Sequence, residues 1–67
     1  MSRLEEIRIC FYLDGSPFAE RYAVQVPNVG DRIKYNVEGK WKWCVVTDKE
    51  WEYNKDDFRV TIFLENI

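Results

Sequence analysis

Trp41, Trp43 and Val45 recur at every second position within residues 40–53, and Trp51 and Tyr53 resume the same phase. This one run holds all three tryptophans of the chain. A β-strand turns successive side chains to opposite faces, so spacing by two collects large rings on one side. Such a run must lie in a sheet and must find cover for its rings. A chain of 67 residues has room for one domain and one core. The pattern therefore predicts Trp41 and Trp43 in that core, with the other strands wrapped around them.

A chain this short buries only about 60% of the surface its unfolded form exposes, so the core must be rich in large side chains. Here 46% of residues are hydrophobic and 16% aromatic. Each buried ring removes on the order of 150–250 Å² from water, and a composition with this many aromatics argues against disorder. Ten basic and twelve acidic residues leave a net charge of −2. Residues 1–35 carry five of each sign, whereas residues 36–67 carry five positive and seven negative. Nucleic-acid binders draw most of their affinity from phosphate contacts and favour a basic excess, so the net charge disfavours that class.

Cys10 and Cys44 are too few for a disulfide framework and fit as free thiols in half-buried strands. The chain has no histidine. A structural zinc site has no support from two distant cysteines, and a Cys–His nucleophile is impossible. No cofactor, metal or enzymatic activity is expected. The start MSRLEEIRI is charged and does not read as a signal peptide. No apolar run approaches the ~20 residues of a membrane helix. The expectation is a soluble cytoplasmic protein without a membrane partner.

Taken in order, residues 4–13 alternate, with Ile7, Ile9, Phe11 and Leu13 on one face and Arg8, Cys10 and Tyr12 on the other. Asp14-Gly15 is a hairpin signal, because Gly accepts positive φ without steric penalty; Pro17 is expected to lengthen that loop. Residues 18–26 read as a second strand that Pro27 stops. Residues 27–31 form a turn with Gly30 at positive φ. Residues 33–37 make a short third strand, and Glu38-Gly39 a second tight turn before the tryptophan strand. The apolar phase lapses at Thr47 and Lys49, which predicts a bend or bulge between Val46 and Trp51. Residues 54–57 are a polar turn, and Phe58, Val60, Ile62 and Leu64 alternate in the last strand, with Phe63 outward. Five strands with short turns predict an all-β, five-stranded antiparallel meander closing into a small barrel.

The turn Pro27-x-Val29-Gly30-Asp31-x-Ile33, followed by Gly39-x-Trp41-x-Trp43-x-Val45-Val46 and a further Trp51, resembles the small SH3-like barrels encoded by bacteriophages and mobile elements. The resemblance covers residues 18–64. It implies an SH3-like barrel from a phage or mobile element and implies no chemistry, since one such fold hosts many functions. The acidic loop and the Tyr–Tyr and Trp–Pro pairs of eukaryotic peptide-binding SH3 domains have no counterpart at matching positions.

Three constellations can carry function. The tryptophans, interleaved with Lys40 and Lys42, fit base stacking, but Lys42 faces away from both rings, which favours a core role for Trp41 and Trp43. The set Asp48, Glu50, Glu52, Asp56 and Asp57 can dock a basic surface, or can simply solvate a hairpin and guard a sheet edge. Tyr12 and Phe63, with Val46, form an outward apolar set that suits a dimer or partner surface. The expectation is a non-enzymatic protein-interaction module. It would bind a host or phage protein, or a second copy, through Tyr12, Phe63, Trp51, Asp48, Glu50 and Glu52. The alternative is a single-stranded nucleic-acid binder using exposed Trp and Tyr with Lys34, Lys40 and Lys42.

Overall fold

A computed structural model describes residues 6–55 and 57–67, which form five β-strands and no helix. The strands are β1 (Ile7–Leu13), β2 (Ser16–Ala23), β3 (Arg32–Val37), β4 (Lys40–Asn54) and β5 (Asp57–Asn66). Residues 4 and 5 of the first expected strand, and Asp56 of the acidic set, lie outside the described residues. Both tight hairpins follow from their turn residues. Asp14 and Gly15 have φ of 51° and 86°, and Glu38 and Gly39 have 51° and 84°. Positive φ at both central residues suits the right-handed twist of paired strands. The first loop is no longer than two residues, because Leu13 pairs with Ser16 and Pro17 sits within β2. A proline is tolerated there because β2 is an edge strand.

The sheet order is β2-β1-β5-β4-β3, and it curls into an open half-barrel. This corrects the expected antiparallel meander and its closure. A meander would put β2 beside β3; instead β1 runs parallel to β5, aligning Ile9, Phe11 and Leu13 with Val60, Ile62 and Leu64. The physical reason lies in composition. Pairing β1 with β5 sets the two most apolar strands at the centre and leaves the more polar β2 and the short β3 at the edges, where unpaired backbone meets water.

A second correction concerns the core. Ile9, Cys44, Val46, Val60, Ile62 and Leu64 are buried, whereas Trp41 and Trp43 are 60% and 49% exposed. The even-numbered residues of β4 face inward up to Val46, because Val46 pairs with Leu64 and Cys44 with Asn66. The register then slips between Val46 and Asp48, leaving Thr47 unpaired, and its Oγ1 donates to the Phe63 carbonyl at 3.3 Å. Beyond this bulge the odd-numbered residues face inward, with Lys49 opposite Ile62, Trp51 opposite Val60 and Tyr53 opposite Phe58. The bulge lies where the lapse in the apolar phase places it. Its effect is to set Trp41 and Trp43 on the outer face and Trp51 on the inner one. Val46, expected outward, is in the core.

The Pro-x-Val-Gly-Asp segment is bonded to the bulge. Gly30, at φ 98°, donates its N–H to the Val46 carbonyl at 2.9 Å, and Val46 N–H donates to the Asp31 carbonyl at 2.9 Å. The turn is closed by Asp31 N–H on the Asn28 carbonyl and by Asn28 N–H on the Asp31 carboxylate, at 3.0 and 2.8 Å. Gly30 supplies the φ > 0 that such a turn needs at its third position.

These assignments set the order of mutational costs. Ile62→Ala, in the fully buried row, should cost roughly 2–5 kcal/mol. Trp43→Ala, on the outer face, should cost less than half as much by urea unfolding; equal costs would contradict the placement of the rings.

Candidate binding faces

Trp41 and Trp43 project from the outer face of β4, and the register of β3 decides what stands beside them. Lys34 pairs with Trp43, Asn36 with Trp41 and Arg32 with Val45. The Lys34 Nζ lies 4.9 Å from the Trp41 ring centroid and 5.5 Å from that of Trp43. An ammonium over ring faces at an exposed site contributes about 0.5–1 kcal/mol per pair. Lys42 faces the opposite way, opposite Tyr35, as its phase requires. The positive charge beside the rings comes from the neighbouring strand instead. The alternative reading of the sequence grouped Lys34 with the exposed rings, but its position across them depends on cross-strand register, which is not written in the spacing of either strand.

The residues expected to form one binding surface divide between two faces. Tyr12 and Phe63 are partners in the parallel ladder of β1 and β5 and half-buried on the outer face, with ring centroids 5.8 Å apart. Asp48 pairs with Phe63 on the same face, so these three come together. Glu50 and Glu52 continue along β4 opposite Thr61 and Arg59. Trp51 lies on the other side of the sheet, where its ring stacks on Phe58 at 5.2 Å and 16°, and Tyr53 meets Phe58 edge-on at 5.8 Å. Tyr53 and Phe58 complete this inner aromatic group; the sequence places both in strand phase but not among the binding residues. Their alternation with Trp51 and Val60 could have found them.

The acidic residues are less free than their number implies. Arg59 Nε donates to Glu52 Oε1 at 2.7 Å. That hydrogen bond, reinforced by the charge of Arg59, holds the Glu52 carboxyl below the usual Glu range. On the same outer face Arg8 pairs with Glu20 at 2.7 Å. Lys49 turns inward, donating to Asn28 Oδ1 at 2.9 Å and lying 5.8 Å from the Trp51 ring.

Two concavities flank β3. One of about 500 Å³ is lined by Gln25 to Asn28 and Asp31 to Ile33. The other, of about 320 Å³, lies between β2 and β3 over Phe11, Ile33 and Leu64, with Arg21 and Lys34 at its rim. Neither brings together a nucleophile and a base. Both cysteines are free thiols. Cys44 is buried with its Sγ 3.4 Å from the Ile33 carbonyl oxygen. Burial pushes its thiol up, with the Asp14 carboxylate adding to the effect, so at neutral pH it stays protonated and a poor nucleophile. Among the described residues, no group of three His, Cys, Asp or Glu could hold a metal ion.

The chain matches no family model, no curated protein and no solved structure.

A carboxyl whose folded pKa is lowered contributes stability above its unfolded pKa and loses it as pH falls through the folded value. Glu52 should therefore titrate below a peptide Glu in an NMR pH series, and Arg59→Gln should return it to the ordinary range. An unchanged titration in the variant would show that Arg59 is not the cause.

Proposed function

We propose that this protein is a non-catalytic module that binds a protein partner, and its exposed aromatic surface carries that reading. Trp41, Trp43 and Trp51 are each about half exposed or more, although burying them would stabilise a chain this short. Protein-interface hot spots are enriched in Trp, Tyr and Arg at the centre of the contact. Here the outer face offers Trp41 and Trp43 beside Lys34 and Arg32, and Tyr12 packed against Phe63 with Asp48 alongside. The absence of histidine and the protonated state of Cys44 support a non-catalytic role. The resemblance of the Pro-x-Val-Gly-Asp turn and tryptophan strand to small SH3-like barrels suggests the setting we propose: a cytoplasmic accessory protein of a phage or mobile element.

A second reading has one observation in its favour. Residues 32–43 carry four positive charges and one negative, whereas the rest carries six positive and eleven negative, so +3 on one hairpin is masked by −5 elsewhere. Exposed rings beside lysines are what single-strand binders use, at about 1–3 kcal/mol per stacked base. The overall charge of −2 still places this second.

A photo-crosslinking residue at position 36, beside Trp41, should yield discrete protein adducts in cells. The double variant Trp41→Ala/Trp43→Ala should keep its fold and lose them. Adducts unaffected by the double variant would rule out this face. Oligo-dT titration separates the second reading: salt-sensitive quenching of tryptophan fluorescence would move the assignment to nucleic acid.

A further inference from the structure

We infer that the opening between β2 and β3 receives an extended peptide of a partner protein, alternating apolar and acidic residues, which joins the sheet as a sixth strand. The inference rests on the protein-binding reading and deepens it by naming where the partner enters and what chemistry it carries.

The first ground is topology. β2 and β3 are the two ends of the sheet, so each offers one row of backbone donors and acceptors that no strand among the described residues pairs. Such edges are templates for strand addition. The curl of the sheet turns these rows toward one another across the opening.

The second is width. No Cα of β2 lies within 8 Å of any Cα of β3, so the two edges are too far apart to pair directly at the ladder spacing of about 4.7–4.9 Å. An inserted strand needs twice that spacing, about 9.5 Å. The opening is spanned by side chains: Phe18 meets Tyr35 edge-on with ring centroids 5.0 Å apart. Tyr35 is held by its hydroxyl, which donates to Asn66 Oδ1 at 2.8 Å. Phe18 stands at the β2 irregularity, where the register slips opposite Phe11 and Tyr12. A rotation of its ring would clear the path.

The third is chemistry. The floor is Phe11, Ile33 and Leu64, the rim carries Arg21 and Lys34, and among the described residues no acidic side chain lines this concavity. Arg32 and Asp31 both line the adjoining one, where the Asp31 carboxylate is occupied by the Asn28 N–H. An inserted strand would turn alternate side chains to the apolar floor, where Arg21 shares the inner phase with Ile9. The acidic residues between them would meet Lys34 and Arg32 on the outer face of β3, while Glu20 on the outer face of β2 is held by Arg8. A basic peptide would bring like charge against Lys34 and Arg32, so the site discriminates by charge.

The test uses the whole chain, labelled with ¹⁵N, and two synthetic decapeptides, one alternating Val with Glu and one alternating Val with Lys. The Val-Glu peptide should shift amides of both β2 and β3 and slow their hydrogen exchange by about tenfold, and the Val-Lys peptide should do neither. The double variant Arg32→Glu/Lys34→Glu, whose sites are exposed, should stay folded by circular dichroism and reverse the preference. Four outcomes overturn the inference. They are no shifts at about 1 mM Val-Glu peptide, equal response to both peptides, shifts at one edge only, or doubled mass without peptide, which would mean that a second copy holds the edge. Adducts at position 36 that survive such a failure would leave the protein-binding reading standing; loss of both would remove it too.

Discussion

Thr47 has no place in the ladder with β5, and the residue just before it is bonded in both directions to the loop that precedes β3. Without that extra residue, a β4 that buries Cys44 and Val46 would keep its even phase inward to its end. Asp48, Glu50 and Glu52 would then face the row of Phe58, Val60 and Ile62, and carboxylates there would be desolvated without partners. The bulge changes the phase so that the aliphatic half of β4 faces the core and the carboxylates of the other half face water. Gly30 and Asp31 hold the backbone in place at that point, which gives the Pro-x-Val-Gly-Asp turn a structural role in the centre of the sheet.

The core that results is small and aliphatic. One curled sheet has to cover its own concave face, and interiors are packed as densely as organic crystals. Val, Ile and Leu from three neighbouring strands fill that volume, whereas two indoles on one strand would hold the sheet open. The rings are displaced to places where one side stays wet. Trp41 and Trp43 lie along the outer face under Lys34, and Trp51 stacks on Phe58 beyond the end of the core. A composition that looks like an oversized core thus becomes two aromatic surfaces.

The parallel pairing of β1 with β5 has an equally direct consequence. It gives β5 a neighbour on each side, so Val60 and Ile62 are wholly buried. It also leaves β2 and β3 as edges whose backbones curl toward each other without pairing, bridged by the Phe18 and Tyr35 rings. The exposed aromatic surface and the open edge therefore share one origin: the apolar strands take the middle, and what remains is exposed.

Much of this was legible in the sequence, and the parts that were not share a reason. Alternation located all five strands to within a few residues, Asp14-Gly15 and Glu38-Gly39 marked both hairpins, Gly30 marked the turn, and the loss of apolar phase after Val46 marked the bulge. Each of these depends on local backbone geometry, which neighbouring residues dictate. Of the expected binding residues, Tyr12, Phe63 and Asp48 do meet, while Trp51 stands on the opposite face. Period two says which side chains share a face of a strand but not which face is buried. That is decided by the strands on either side, through the pairing of Val46 with Leu64 and of Ile9 with Val60. The tertiary structure alone determined that the tryptophans of the first half of β4 lie outside, that Lys34 lies across them, and that the sheet stays open between β2 and β3.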